Sequence, residues 1–471
     1  MSERLVFGYG AAGSGDAPTW RGPEGPSKAT PPPGRIDAPA ERRDWAYLGL
    51  LAFTALLYFR PQDSIRPLGM LHLPELAAIF ALGSLFLGRL QRGQSITRFT
   101  PELGGVLALG GVILATAPFS VWMGGAVATF TDMYAKVVLI FILMVNTLTS
   151  AKRIERLTWL LVIASGYIAI GTVIDYARGV NMINHERALG SVGGMFKNPN
   201  DLTLNMVVTL PLALAFLLRR LSTTRKLLAL GCAGAMLGAI VASGSRSGTL
   251  GLVAMVAVFA IQLIPRRPGL VAGGAVAALL ALPLLPASYW TRVAGITDES
   301  VDDSGSREAR TTLAVEAWHA FLDNPLTGVG AGQFVNYNPE GRIQAWKEAH
   351  NVVLQIAAEL GIFGLIAFGY LLVRGFKAPG QIRRLLRQAR ARGAIAGDDE
   401  RAMLEILSIA MLASLAGWFV CAIFASVAYH WTLYYVLGLA VTPREILTDR
   451  LTGEARSRLH ATAAIPVGAR A

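Results

Sequence analysis

Long unbroken apolar runs constrain this chain more than any other feature. They fall near 45–59, 70–88, 102–121, 126–148, 157–175, 201–218, 227–243, 248–264, 269–288, 351–373, 404–427 and 430–442. A helix needs about 20 mostly apolar residues to cross a bilayer. Barrel strands span it with about ten residues of alternating polarity, and the runs here do not alternate. The expected fold is therefore all-α: a polytopic membrane protein of about twelve transmembrane helices. Charged residues make up only 16% of the chain, against about 25% in a soluble domain. The first and last runs are short, and tilting or an interfacial position accommodates them. The gap at 244–247 is so tight that the seventh and eighth runs must form a hairpin.

The flanks differ in composition. Residues 1–44 are rich in Gly, Pro and charge and are expected to form a disordered cytoplasmic tail. The membrane domain is expected over 45–443 and a C-terminal cytoplasmic tail over 444–471. No apolar segment precedes the first run, which is expected to act as an uncleaved signal anchor. The net charge of +12 and pI near 9.9 raise the question of nucleic acid. Placing each basic residue answers it. With the N-terminus inside, 31 of the 43 Lys and Arg fall on inner segments, 11 on outer ones, and Lys136 within a run. That is the cytoplasmic bias of basic residues. It puts both termini in the cytoplasm and makes nucleic acid unnecessary. Cys232 and Cys421 both lie in apolar runs and form no disulfide framework.

Two outer segments are long, about 176–200 and 289–350, and the second carries a net charge of −4. Within it, Arg310 to Phe321 reads as an amphipathic helix with Leu313, Ala317, Ala320 and Phe321 on one face. Asp323-Asn324-Pro325 ends it, and a turn-rich loop with Gly328, Gly330 and Gly332 follows.

Four constellations in these outer segments can carry chemistry. The hairpin Ser243-Gly244-Ser245-Arg246-Ser247-Gly248 puts an arginine at the membrane boundary, with Ser247 as a candidate helix cap. Arg246 there either snorkels or binds an anion. Arg310 offers a planar fork suited to phosphate. It competes with Arg307 for that role and with a plain ion pair to Glu308 or Glu316. His350 and Asn351 stand at the outer end of the tenth run, where a histidine can exchange a proton near neutral pH. Asn351 is either a helix cap or a sugar ligand. Glu359, two turns into that run, is expected to bond to a neighbour. Finally, Arg187 and Lys197 lie near the outer surface, ahead of Asn200 and Asp201, either of which can cap the next helix. Asp132 and Lys136 at i, i+4 are expected to pair with each other. The acidic cluster Asp298, Glu299, Asp302 and Asp303 reads as a solvated loop rather than a cation site. No Walker, Rossmann or HExxH motif is present.

The ordered set Asn198-Pro-Asn200-Asp201, Ser245-Arg246-Ser247-Gly248, Arg310…Asn324-Pro325-Leu-Thr-Gly328-Val-Gly330 and His350-Asn351…Glu359-Leu-Gly361 resembles the O-antigen ligase and polymerase superfamily. The resemblance runs from about 185 to 375. Arg60-Pro61-Gln62-Asp63 with Pro67-Leu68 also looks like a subgroup associated with exosortase loci and protein O-glycosylation. The resemblance implies an inner-membrane glycosyltransferase working on the periplasmic side, inverting and independent of metal or other cofactor. The donor it implies is a glycan on undecaprenyl pyrophosphate. The acceptor is lipid A-core, another glycan or a protein. It implies that Arg246 and Arg310 bind the pyrophosphate and that His350 is the base or orienting group. It assigns substrate contacts to Arg187, Lys197, Asn200, Arg307, Asn351 and Glu359. One departure stands out: relatives often have an aromatic residue where this chain has Ala314, with Trp318 one turn later as the substitute. A ligase is the leading reading, because one long outer loop dominates. A polymerase is the nearest rival. A transporter or flippase would instead use Asp132, Lys136 and Glu359, but no internal repeat supports it.

Overall fold

The computed structural model describes residues 44–184, 186–295, 306–393 and 397–463. Each apolar run coincides with a helix or a bent helix pair, so the polytopic all-α fold holds. Among the described residues, nine helices are long and apolar enough to cross a membrane. A tenth span results if Pro268–Leu284 and Ala287–Ala294, bent by 105°, are taken as one. Pro283 and Pro286 explain that bend, since each removes a helical hydrogen bond and crowds the preceding turn. The first helix, Trp45–Phe59, is short and apolar. The last, Trp431–Ala463, continues well past the expected boundary at 443. The acidic cluster at 298–303 and most of the expected N-terminal tail lie outside the described residues.

The core runs through the middle of the bundle. Pro199–Leu217 is its most enclosed span, buried over most of its length. It packs against Ala151–Ala177, Thr223–Ser243 and Asp398–Ala422. Small residues bring helices close, as is usual where lipid supplies no hydrophobic drive between them. A Cβ on Gly251 would sit 2.9 Å from the Gly417 carbonyl oxygen, so these two helices touch backbone to backbone. By contrast Pro268–Ala281 buries no residue at all, as expected of an apolar helix facing lipid.

At the bundle end away from the hairpin, a buried carboxylate ties three helices together. Glu102 is fully buried and receives Arg444 through both oxygens (2.7 and 2.8 Å) and Arg374 Nε at 2.7 Å. The expected Asp132–Lys136 pair is not formed. Thr129–Tyr134 winds as a π-helix, which shifts the register between the two residues. Lys136 instead lies 3.6 Å from Glu75, and Asp132 accepts from the Thr131 hydroxyl.

Candidate functional site

The hairpin forms as the spacing demands. Thr223–Ser243 ends in Gly244, whose left-handed conformation (φ 55°) closes it. Arg246–Leu263 starts two residues later. Its cap is Ser245, which accepts from Gly248 N–H at 3.2 Å; Ser247, expected in that role, lies one residue inside the first turn. Pro199–Leu217 is capped by Asn198, whose side chain accepts from Asn200 N–H at 2.8 Å, and not by Asn200 or Asp201. Pro199 takes the first helical position, where its missing N–H costs nothing.

Asn200 is thereby released for another task. Its Oδ1 accepts from Arg187 Nη2 at 2.9 Å and from the Ser245 hydroxyl at 2.8 Å. Arg187 also donates to the Ser243 carbonyl (3.1 Å). Arg292 reaches the Gly244 carbonyl at 3.1 Å and Glu186 at 2.8 Å. Arg187 therefore braces the hairpin from behind. Burial, with Arg292, Arg310 and Arg246 close by, lowers its pKa to about 10. That crowding of guanidiniums marks a region with a strong positive potential. Lys197 stands apart, donating to Asn181 at 2.9 Å.

Arg310 comes from the helix Ser306–Asp323, which buries Leu313, Ala317 and Ala320 as the amphipathic pattern requires, while Phe321 is half-buried. Glu316, one of its expected partners, is engaged elsewhere. It accepts from the backbone N–H groups of Ile343 and Gln344 (2.7 and 3.0 Å) and pairs with Arg342. The Arg342 guanidinium lies 4.3 Å from the centre of the Phe334 ring, which fixes the loop's outer turn. The Arg307 side chain is outside the described residues.

The loop after this helix is clamped into a break in the next one. Gly361 (φ 63°) interrupts Val352–Ala391, and the freed backbone groups bond to the loop. Val329 N–H donates to the Ala358 carbonyl (2.8 Å), Gly330 N–H to that of Glu359 (2.9 Å), and Ile362 N–H to that of Pro325 (2.8 Å). A Cβ on Gly328 would fall 2.3 Å from the Glu359 carbonyl carbon. The Asn-Pro-Leu-Thr-Gly-Val-Gly and Glu-Leu-Gly motifs are thus two halves of one clasp. Glu359 completes it: buried, its Oε2 accepts from Gly332 N–H (2.9 Å), the Tyr429 hydroxyl (2.8 Å) and Gln355 (3.5 Å).

This scaffold brings Arg246, Arg310, His350 and Asn351 to the wall of one cavity of about 470 Å³. Ala314 lines it as well; Trp318 does not, and its ring lies tilted against that of Phe321 with half its surface exposed. Arg246 donates to the Gly295 carbonyl at 2.8 Å. Asn351 caps its helix, accepting from Val353 and Leu354 N–H at 3.0 Å. His350 adopts a left-handed conformation (φ 48°) and its N–H donates to the Ser426 hydroxyl at 2.9 Å. Burial lowers the His350 pKa, and the nearby Arg310 and Lys347 charges lower it further. A neutral imidazole at pH 7 follows, the form able to accept a proton.

His350 also lines a second cavity, of about 270 Å³, with Asn200, Asp201, Glu348, Ser426 and His430. Burial raises the Glu348 pKa, the Asp201 charge adds to that, and His430 opposes it. Buried His430 Nδ1 has no partner among the described residues. No local motif marks Glu348 or His430 in the sequence. Their signal is only spatial.

The O-antigen ligase family matches residues 231–369, the stretch that holds Arg246, Arg310, His350 and the clasp. That stretch is similar to the O-antigen ligase family. A teichuronic acid biosynthesis protein of Bacillus subtilis, TuaE, is 34% identical over 148 residues, covering 29% of this chain. The chain spans about 30% of the length of that relative. Arg187, Lys197 and Asn200 precede the matched stretch.

Proposed function

We propose that this protein transfers a glycan from undecaprenyl pyrophosphate to an acceptor hydroxyl on the periplasmic face of the bacterial inner membrane. The observation that carries the reading is the single cavity that joins Arg246, Arg310 and His350. Two guanidiniums on one wall suit a pyrophosphate, which presents oxygens for paired hydrogen bonds. They stabilise the charge that develops as the bond from the sugar's anomeric carbon to the phosphate oxygen breaks. His350, neutral and at the junction of two cavities, takes the proton as the acceptor oxygen attacks the same carbon from the opposite face. One glycosidic bond forms, one phosphoester bond breaks, the configuration inverts, and undecaprenyl pyrophosphate leaves.

The second cavity suits the acceptor. Its carboxylates and amides match hydroxyl groups, and the orphaned His430 Nδ1 needs a hydrogen-bond partner. The site end is taken as periplasmic because the basic residues concentrate on the other face. Arg187 and Asn200 act by bracing the hairpin, Asn351 by starting its helix, and Glu359 by closing the clasp.

A polymerase that extends lipid-linked glycans uses the same steps, and the name of the TuaE relative concerns polymer biosynthesis. Deletion separates the two. Loss of a ligase leaves full-length chains on the carrier lipid. Loss of a polymerase leaves single repeats on the acceptor, and that pattern would replace the ligase reading. Transfer that persists in chelator fits guanidiniums in place of a metal; transfer abolished by chelator refutes the metal-free mechanism.

A further inference from the structure

At the opposite end of the bundle from Arg246 and His350 lies a cavity of about 400 Å³, and its lining is dominated by arginine. Arg383, Arg387 and Arg390 follow one another at i, i+4 and i+7 on Val352–Ala391, so they share one helix face. Arg266, just beyond the end of Arg246–Leu263, and Arg401, in the first turn of Asp398–Ala422, face it from two other helices. Glu405 is the one acid in the lining. It lies 3.1 Å from Arg266, and Arg383 donates to the Gln262 side chain. Five guanidiniums against one carboxylate leave a surplus of four positive charges around a small concave volume. Arg384, the sequence neighbour of Arg383, does not line the cavity.

General cytoplasmic bias in basic residues accounts for arginines scattered along a membrane face. It does not account for five from three helices converging on one concavity, where like charges raise each other's energy unless an anion sits between them. Guanidiniums have the geometry that grips phosphate oxygens in pairs. Basic pockets between spans at the membrane surface suit phosphate-bearing lipid headgroups. Arg246–Leu263 covers the bilayer between the two ends, so Arg266 stands at headgroup depth. We propose that this cavity is a phosphate-binding site separate from the glycan site, and that an anionic phospholipid supplies the phosphate.

Thermal unfolding of the full detergent-purified chain tests this. The probes are cardiolipin, phosphatidylcholine as the zwitterionic control of zero net charge, and inorganic pyrophosphate as the soluble alternative. Cardiolipin is expected to raise the unfolding midpoint by several degrees and phosphatidylcholine to leave it unchanged. The triple variant Arg383→Gln/Arg387→Gln/Arg390→Gln should lose the shift, and Arg384→Gln should keep it. Exposed Arg387→Gln alone should halve it or more, so the test survives if the triple variant misfolds. A shift with pyrophosphate that is lost in the same variants assigns the site to a soluble phosphate instead. No shift with either probe, or an equal shift in wild type and Arg387→Gln, overturns the proposal.

Discussion

Glu359 separates a structural carboxylate from a chemical one. All its hydrogen bonds converge on one oxygen: Gly332 N–H at 2.9 Å, the Tyr429 hydroxyl at 2.8 Å and a longer contact to Gln355. In Glu359→Gln the amide oxygen can occupy that position and keep every donor, losing only the charge, at a cost of about 1 kcal/mol. In Glu359→Ala both short bonds vanish and two buried donors are stranded. At about 1.5–3 kcal/mol for each bond to a charged group, the loss is about 3–6 kcal/mol. That is a large part of the 5–15 kcal/mol typical of a folded protein. The assay is the unfolding midpoint of purified protein beside its transfer activity. The alanine variant should unfold several degrees lower or fail to accumulate, while the glutamine variant stays folded and active. A folded but inactive Glu359→Gln would refute this reasoning. It would mean that the charge itself is used, as in a proton-coupled transporter.

Three further outcomes follow from the geometry. Gly328→Ala should cost the clasp and most of the activity, since its Cβ would collide with the Glu359 backbone at 2.3 Å in a left-handed conformation (φ 64°); proteolysis within 324–334 would report the released loop. The pH profile of kcat/KM should fall on its acid side below the ordinary histidine range, because the base works only when neutral and His350's pKa is lowered. Removing one lowering charge, Lys347→Gln, should move that limb to higher pH with the plateau nearly unchanged; an unmoved limb would exclude His350 as the group seen. Arg444→Ala should destabilise the bundle by about 3 kcal/mol or more, because it breaks a bidentate pair on fully buried Glu102. Chemical unfolding would measure it.

The helices were legible because their signal is local: a long apolar run suffices. So was the Asn351 cap, where an asparagine precedes an apolar helix. The caps at Asn198 and Ser245 lie two or three residues before the expected ones, because several small polar residues compete and only backbone geometry chooses among them. Arg246, Arg310 and His350 were legible as motifs, but their convergence on one cavity was not; it depends on how three distant segments pack. The clasp was invisible for the same reason. Its halves read as separate signatures, yet Gly328 and Gly361 are each required by the other's segment. His430 is 80 residues from His350, and only the fold places both on one cavity.

The central claim is that Arg246, Arg310 and His350 form one site for glycan transfer. Its most direct measurement is transfer in liposomes holding the purified protein, with an undecaprenyl-pyrophosphate-linked glycan and a candidate acceptor. Wild type should form the glycosidic product, and Arg246→Ala, Arg310→Ala and His350→Ala should each lose at least about 100-fold in rate while inserting normally. Three correctly inserted variants with full activity would contradict the account.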